Sequence, residues 1–501
     1  MRWIRYTTRG GFLSVVLLLA APCTADPGGA DGWRISTPEE QGVSSSQLVT
    51  MFRDIETKHG AGLHSVIVVK NGALIAEVYL PPYHAETLHN IKSASKSVLS
   101  ALVGVALDKG LFKSLDQKVS DFYPDIAAGP GKKDITLRHL LTMSAGFDWS
   151  DAREGGGQPL PYDLNAWKLV PMRSNPGAEF QYNTMLAHMM SAIITKASGR
   201  STSAFATDAL FRPLGITQFS WSKDSRGIDI GGTELFLKPR DMAKFGQMYL
   251  QGGKWAGRQV VGARWVSEST APQVRMPYHP CSEQGTNYDY GYWWWLPERG
   301  YMAKGSLGQY IMVRPDLNMV VVVTGEDECA IYPYLERYLF AGSASRLPPA
   351  PFAEQELRRV LKRLENPPPQ PVPRSPAIAS SISGRKYVLA ANPMGMRSVV
   401  VSFPKSAEAK MEIAFEKMTL AFPIGLDGIP RTANVGISLG NNSEPSIVAA
   451  QGGWKGNSVF EFRFHIVGDV ISQTFSLDFV GDELSMQIRS GAPTMYLTGK
   501  R

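Results

Sequence analysis

Nine of the chain's 34 prolines fall between Pro348 and Pro376, on either side of a charged, helix-like stretch from Phe352 to Glu365. Proline fixes φ and removes a backbone donor, so such a cluster interrupts regular structure and marks a domain boundary. Hydrophobic periodicity changes across it. After the boundary, Met411, Ile413 and Phe415 alternate with Glu412, Ala414 and Glu416, and Phe460, Phe462, Phe464 and Ile466 alternate with Glu461, Arg463 and His465. A period of two belongs to half-buried strands. Phe475, Leu477 and Phe479, the turn Gly481-Asp482, and Leu484, Met486 and Ile488 predict a hairpin, so residues 376–501 read as a small antiparallel β-barrel or sandwich.

Before the boundary both periods occur. A strand pair is predicted near Ser65 to Tyr79 around Asn71-Gly72, and helices over Lys96 to Leu107 and Met185 to Ala197. Tyr310 to Arg314 and Met319 to Thr324 flank the turn Pro315-Asp316, and the second run is continuously apolar, as in a sheet covered on both faces. Residues 26–347 are therefore expected to form one mixed α and β domain, and 348–375 a Pro-rich linker with a short helix.

Arg2, Arg5 and Arg9 precede an apolar stretch from Phe12 to Ala21, and Cys23-Thr24-Ala25 offers small residues before a cut at Asp26. That order predicts a secretory signal peptide over residues 1–25, and an exported protein, periplasmic or secreted. The apolar stretch is well short of the roughly 20 residues a membrane-spanning helix needs. Pro22 argues against lipidation of Cys23. Cys281 and Cys329 can pair in an oxidising compartment or remain buried thiols. The formal charge is +7, but no run of clustered Lys and Arg appears, which argues against a nucleic-acid partner.

The stretch richest in chemistry is Ser93-Ala94-Ser95-Lys96, just before the helical pattern Val98, Leu99, Leu102, Val103 and Leu107. Residues three apart share a helix face, so the Lys96 amine can reach the Ser93 hydroxyl, and a helix N-terminus favours developing negative charge. A serine hydroxyl is a poor nucleophile near neutrality. An adjacent amine kept partly neutral by desolvation can remove its proton during attack. Standing alone, the same spacing also describes a helix cap with a solvated lysine, and Ser95 and Lys92 compete for the two roles.

The surroundings of this motif resemble the serine beta-lactamase and penicillin-binding-protein superfamily, in its class C-like branch of esterases, D-amino-peptidases and amide hydrolases. The resemblance spans about 300 residues: Ser93 to Ser97, Leu115-Asp116 with Val119 and Pro124, Ile135 to Gly146, Pro176-Gly177 with Phe180 and Tyr182, Pro213-Leu214-Gly215, Pro239-Arg240-Asp241, and Gly305 with Gly308-Gln309. It implies an α+β fold, an antiparallel sheet flanked by helices with a helical subdomain, ahead of the C-terminal β domain. It further implies Ser93 as the acyl-accepting nucleophile, Lys96 as its base and Tyr182 as the acid/base serving the leaving group. The backbone N–H groups of Ser93 and Gln309 would form the oxyanion hole.

Two departures bear on substrate. Tyr182-Asn183-Thr184 places threonine where the family commonly has asparagine; Thr184 would touch substrate or cap the helix. The third motif, usually Lys or His, a small residue and Gly, aligns with Ser306-Leu307-Gly308 and lacks the cation that binds a carboxylate. Lys304 can compensate, or can face solvent as an edge-strand lysine. Trp149, Phe147 and the run Tyr288, Tyr290, Tyr292, Trp293-Trp294-Trp295 suggest an apolar cleft as well as core packing.

Gly436-Ile437-Ser438-Leu439-Gly440 matches G-x-S-x-G but lies among predicted strands with no following helix. His139 and His188 have no partner recognisable in the sequence for a Ser-His-Asp arrangement. No H-E-x-x-H, clustered cysteine pair or P-loop occurs, so neither a metal nor an organic cofactor is expected. The expected function is hydrolysis of a small amide or ester through a Ser93 acyl-enzyme. The alternatives are a DD-peptidase or beta-lactamase acting on cell-wall peptides or beta-lactams, and an inactive wall-binding homologue.

Overall fold

The computed structural model describes residues 31–59, 62–149, 151, 164–276, 288–327, 329–341, 346–404, 406–439, 445–470, 472–490 and 494–501. The proposed signal peptide, Cys23, Cys281 and Gly440 lie outside these residues.

A nine-stranded sheet runs in the order Arg34–Ile35, Ala73–Tyr79, Leu63–Lys70, Met319–Gly325, Gln309–Arg314, Tyr301–Gly305, Trp295–Leu296, Asp289–Tyr290 and Val274–Arg275. Every pairing is antiparallel except the first, Arg34–Ile35 against Ala73–Tyr79. The Asn71-Gly72 turn, with both residues at positive φ, joins the predicted hairpin. The late strand Met319–Gly325 lies beside the early strand Leu63–Lys70, in a register that sets Val321 opposite Val68. All its residues are buried, as its unbroken apolar run requires. Val323 lines a small cavity with Ile55 of the helix Ser45–His59. Val320 instead meets the helix Pro239–Leu250, where a Cβ on Gly246 would approach it to 2.7 Å. Strand residues alternate in direction, so these two helices cover opposite faces.

The helix Pro351–Glu365 buries Leu357, Val360 and Leu364 in the same core and packs along Ser45–His59. It is thus part of the first packed unit, despite the prolines that flank it. The helices Ser95–Asp108 and Thr184–Ser198 lie together between the sheet and the shorter helices. The first of them is buried along nearly its whole length, which explains why apolar residues occur on all its faces.

The C-terminal residues form a second sheet of ten strands with its own core, built on Tyr387, Met411, Ile413, Phe422, Phe462, Phe475 and Leu477. Nearly all its pairings are antiparallel, and a single parallel pairing of Gly425 with Gln451 joins Thr419–Gly425 to Ile447–Lys455. That contact closes the sheet, so a barrel rather than a sandwich is the outcome. Residues 436–439 form a loop after the strand Arg431–Asn434, and the next element among the described residues is the strand Ile447–Lys455, not a helix.

Candidate active site

Ser93 lies half-buried in a short 3-10 turn, Lys92–Ala94, that leads into the helix Ser95–Asp108. Lys92 takes φ +48°, a left-handed conformation that costs a residue with a side chain roughly 1–2 kcal/mol. Contacts on every side hold it there. Its N–H donates to Asn90 Oδ1 at 3.0 Å, and its carbonyl accepts from Ser95 Oγ at 2.6 Å. Its Nζ lies 3.2 Å from Asp469 and 3.7 Å from Glu234. Ser95 and Lys92, the competitors for the serine and lysine roles, are therefore engaged in shaping the turn.

Lys96 is 1% exposed, and its ammonium donates to Ser93 Oγ at 3.0 Å, Thr184 Oγ1 at 2.9 Å and the Gly232 carbonyl at 2.8 Å. An ammonium has three protons, and all three are placed. Burial lowers the Lys96 pKa from 10.5 to about 8, with the charge of Asp151 acting in the opposite sense. The ring of Tyr182 faces the same nitrogen, 4.9 Å from its centroid.

Asn183 caps the helix Thr184–Ser198 by accepting the Met185 N–H at 2.9 Å, which leaves Thr184 free of that duty. The Thr184 hydroxyl accepts from Lys96 and donates to Asp151 Oδ2, while the Thr184 N–H donates to Asp151 Oδ1 at 3.0 Å. Asp151 in turn donates its own N–H to the Tyr182 carbonyl at 3.1 Å. A carboxylate, a hydroxyl and an amine thus stand in series behind Ser93. Trp149 anchors this corner through its carbonyl, 3.3 Å from Asn183 Nδ2.

The strand Tyr301–Gly305 runs against the nucleophile turn. A Cβ on Gly305 would lie 2.2 Å from the Ile91 carbonyl and 3.1 Å from Lys92 Cβ, an approach only glycine allows. Lys304 is 3% exposed, with its Nζ 4.8 Å from the centroid of Trp295, so the solvent-facing alternative for this lysine is overturned. Its strand has neighbours on both sides, and the residues nearest its end are covered by the Ser93 turn. Ser306 is exposed on the tight turn Ser306-Leu307-Gly308. Gln309 is fully buried, and its carboxamide donates to the Leu307 and Gly325 carbonyls at 2.9 and 2.6 Å, fixing that turn.

The aromatic run divides. Tyr292, Trp293 and Trp294 are core residues, and the Trp293 carbonyl accepts from Ser97 Oγ at 2.6 Å, bracing the nucleophile helix. Trp295 instead lies 5.9 Å, ring to ring, from Tyr182, and Tyr290 lies 6.3 Å from Tyr182, so these rings wall the site. His139 completes a capping box with Thr136. His188 does have a partner, contrary to expectation: Asp224 lies 3.1 Å from its Nε2 in a buried pair. Asp151, Gly232 and Asp469 carried no motif. Gly232 acts through its backbone, and the two acids come from segments far from Ser93 in sequence.

The family model described as Beta-lactamase matches residues 48–327, more than half of the chain. A 6-aminohexanoate-dimer hydrolase of Paenarthrobacter ureafaciens is 24% identical over 310 residues, 57% of this chain and 79% of that protein. A penicillin-binding-protein homologue from Caulobacter crescentus superimposes with a TM-score of 0.50 at 14% identity, over 60% of this chain and 99% of the other. A family VIII carboxylesterase aligns over 66% of this chain and 98% of its own, at 16% identity and a TM-score of 0.47. The chain belongs to the beta-lactamase family and is a serine hydrolase of the beta-lactamase/transpeptidase-like fold.

Proposed function

We propose that this protein cleaves a small linear amide or ester bond through an acyl-enzyme on Ser93. The observation that carries the reading is the buried Lys96 amine, 3.0 Å from Ser93 Oγ with its pKa brought to about 8. Neutral Lys96 takes the Ser93 proton as Oγ attacks the substrate carbonyl. The backbone N–H groups of Ser93 and Gln309 hold the resulting oxyanion, and the Tyr182 phenol passes a proton to the leaving amine or alkoxide. Water then attacks the acyl-enzyme along the reverse path.

The turn at Ser306 supports this substrate class, because it carries a hydroxyl where carboxylate-binding relatives carry a cation. Tyr182 and Trp295 supply an apolar wall suited to an acyl or aryl group, and Trp149 is tied to the same corner through its carbonyl to Asn183. The DD-peptidase reading draws on Lys304, whose ammonium faces Trp295 rather than solvent. Intact-mass spectrometry after a fluorophosphonate, a penicillin and an activated ester separates these. A single adduct of each reagent is expected on the peptide carrying Ser93, the acyl group of the ester adding faster than penicillin and being lost again by hydrolysis. No adduct on folded protein, or one on another residue, would overturn the Ser93 mechanism; a stable and faster penicilloyl adduct would favour the peptidase.

Export is part of the same proposal. Among the described residues no helix is long and apolar enough to cross a membrane. Cys329 is disulfide-bonded, which suits an oxidising compartment.

Asp151→Asn provides a directional check on Lys96. The carboxylate favours the charged amine, so its neutralisation lowers the Lys96 pKa further below its ordinary value. The pH-rate profile of Ser93 acylation is expected to move its acid limb to lower pH in this variant. A limb that stays in place or moves upward contradicts the assignment of Lys96 as the base.

A further inference from the structure

We propose that the C-terminal barrel is a working part of the catalytic unit, with Asp469 as a positioning residue that holds Lys92 and, through it, the backbone of the Ser93 turn. The functional consequence rests on the acyl-enzyme reading; the positioning itself does not.

Asp469 belongs to the connection between the barrel strands Val459–Ile466 and Ser472–Val480. Its carboxylate lies 3.2 Å from Lys92 Nζ and also accepts the Val470 N–H at 2.7 Å, which orients it from its own side. One residue earlier, the Gly468 carbonyl accepts the Asn90 N–H at 2.8 Å. A Cβ on Gly468 would meet the Leu88 carbonyl at 2.4 Å, so the connection is seated directly on the chain entering the nucleophile turn. Asn90 is the residue whose side chain fixes the Lys92 N–H, and Lys92 immediately precedes the nucleophile. The barrel therefore touches the turn at its backbone and at its charged side chain.

A second contact keeps the barrel in place. Glu326 follows the strand Met319–Gly325 and accepts from Arg463 and Ser472 of the barrel, beside His465 at 3.1 Å. This clasp and the Asp469 contact lie on different segments of the catalytic domain, so the barrel is held against the site from two directions. A residue with a left-handed φ next to a nucleophile needs such external support, since relaxation of Lys92 would rotate the Ser93 N–H and hydroxyl away from their working directions.

The experiment uses the full chain with Asp469→Asn, Asp469→Glu, Gly468→Val and Lys92→Met, and the pair Asp469→Asn with Lys92→Met. Folding is followed by circular dichroism, backbone opening by hydrogen exchange over residues 90–95, and the site by the rate of Ser93 labelling with a fluorophosphonate. Asp469→Asn and Gly468→Val are expected to speed exchange over residues 90–95 and slow labelling between about tenfold and 10²-fold, without loss of the native spectrum. Asp469→Glu should recover part of the rate, and the pair should be no slower than its slower member, because both changes break one interaction. Unchanged exchange over residues 90–95 in Asp469→Asn, or labelling within twofold of the parent, overturns the proposal. Faster exchange over residues 90–95 in Asp469→Asn, alongside a folded parent that never labels at Ser93, would keep the positioning role and reject the acyl-enzyme instead.

Discussion

Replacing Ser93 by alanine abolishes fluorophosphonate labelling, and replacing Lys96 by methionine slows it by about 10²–10⁴-fold, the usual worth of a positioned general base. The two effects have different origins. Alanine removes the atom that forms the bond, whereas methionine keeps Ser93 and most of the Lys96 volume but leaves nothing to take its proton. Lys96 lies 3.0 Å from Ser93 Oγ, within the reach of direct transfer. With its pKa at about 8, a tenth or so of the amine is already neutral near pH 7, and the fraction rises with pH. Parent labelling should therefore climb through about pH 8. The methionine variant should lose that climb as well as the rate. Its fold should survive. The variant no longer buries a cation, and Thr184 still donates to Asp151. The Gly232 carbonyl loses its donor at about 1–3 kcal/mol, partly offset by the avoided desolvation. A methionine variant labelled within tenfold of the parent would remove Lys96 from the base role and turn attention to Tyr182.

Local chemistry is legible in this sequence where spacing alone decides contact. Ser93 and Lys96 are one helical turn apart, so their meeting follows from backbone geometry. The hairpins around Asn71-Gly72 and Gly481-Asp482 are legible for the same reason, since turn chemistry and alternation agree over short stretches. Contacts set by tertiary packing are not. Asp151 reaches Thr184 across 33 positions and His188 reaches Asp224 across 36, with no periodic signal linking either pair. Lys304 reads equally as a compensating cation or as a solvent-facing edge residue until the Ser93 turn is known to cover the end of its strand. Strand alternation predicts the C-terminal β structure but cannot distinguish a barrel from a sandwich, because the Gly425–Gln451 pairing closes the sheet without a pattern of its own. The same reasoning explains Asp469. It belongs to a region without a recognisable chemical motif, and only the docking of that region on Asn90 and Lys92 gives it a role.

Glu326→Ala is expected to destabilise the protein by about 3–5 kcal/mol, the range for removing one partner from a buried charged cluster. Glu326 is 9% exposed in its side chain, 3.2 Å from His64 and 3.1 Å from His465, with Arg463 and Ser472 donating to it. Burial works to raise its pKa, but the adjacent His465 and hydrogen bonds with His64 and Ser472 outweigh it and hold the carboxyl well below its ordinary range. Alanine would leave Arg463 without this carboxylate at the junction of the barrel and the catalytic sheet. Glutamine, which keeps the shape and one acceptor, should cost less. The pH dependence has a defined sign. A carboxyl with a depressed folded pKa stabilises fully above its unfolded value of about 4.3 and loses that contribution as pH falls through the folded value. Burial also holds His64 below its ordinary pKa, with Glu326 only partly opposing, so the unfolded chain takes up this proton first below about pH 6.5. Both groups make the folded state weaker in acid. Calorimetric midpoints of the parent should fall below about pH 6.5 and more steeply below about 4.3. Glu326→Ala should begin lower and keep the first decline, since His64 remains buried, while losing this carboxyl's share of the second. A midpoint for Glu326→Ala equal to the parent's at pH 8 would show that the barrel is held by its other contacts, with Glu326 contributing no net stability.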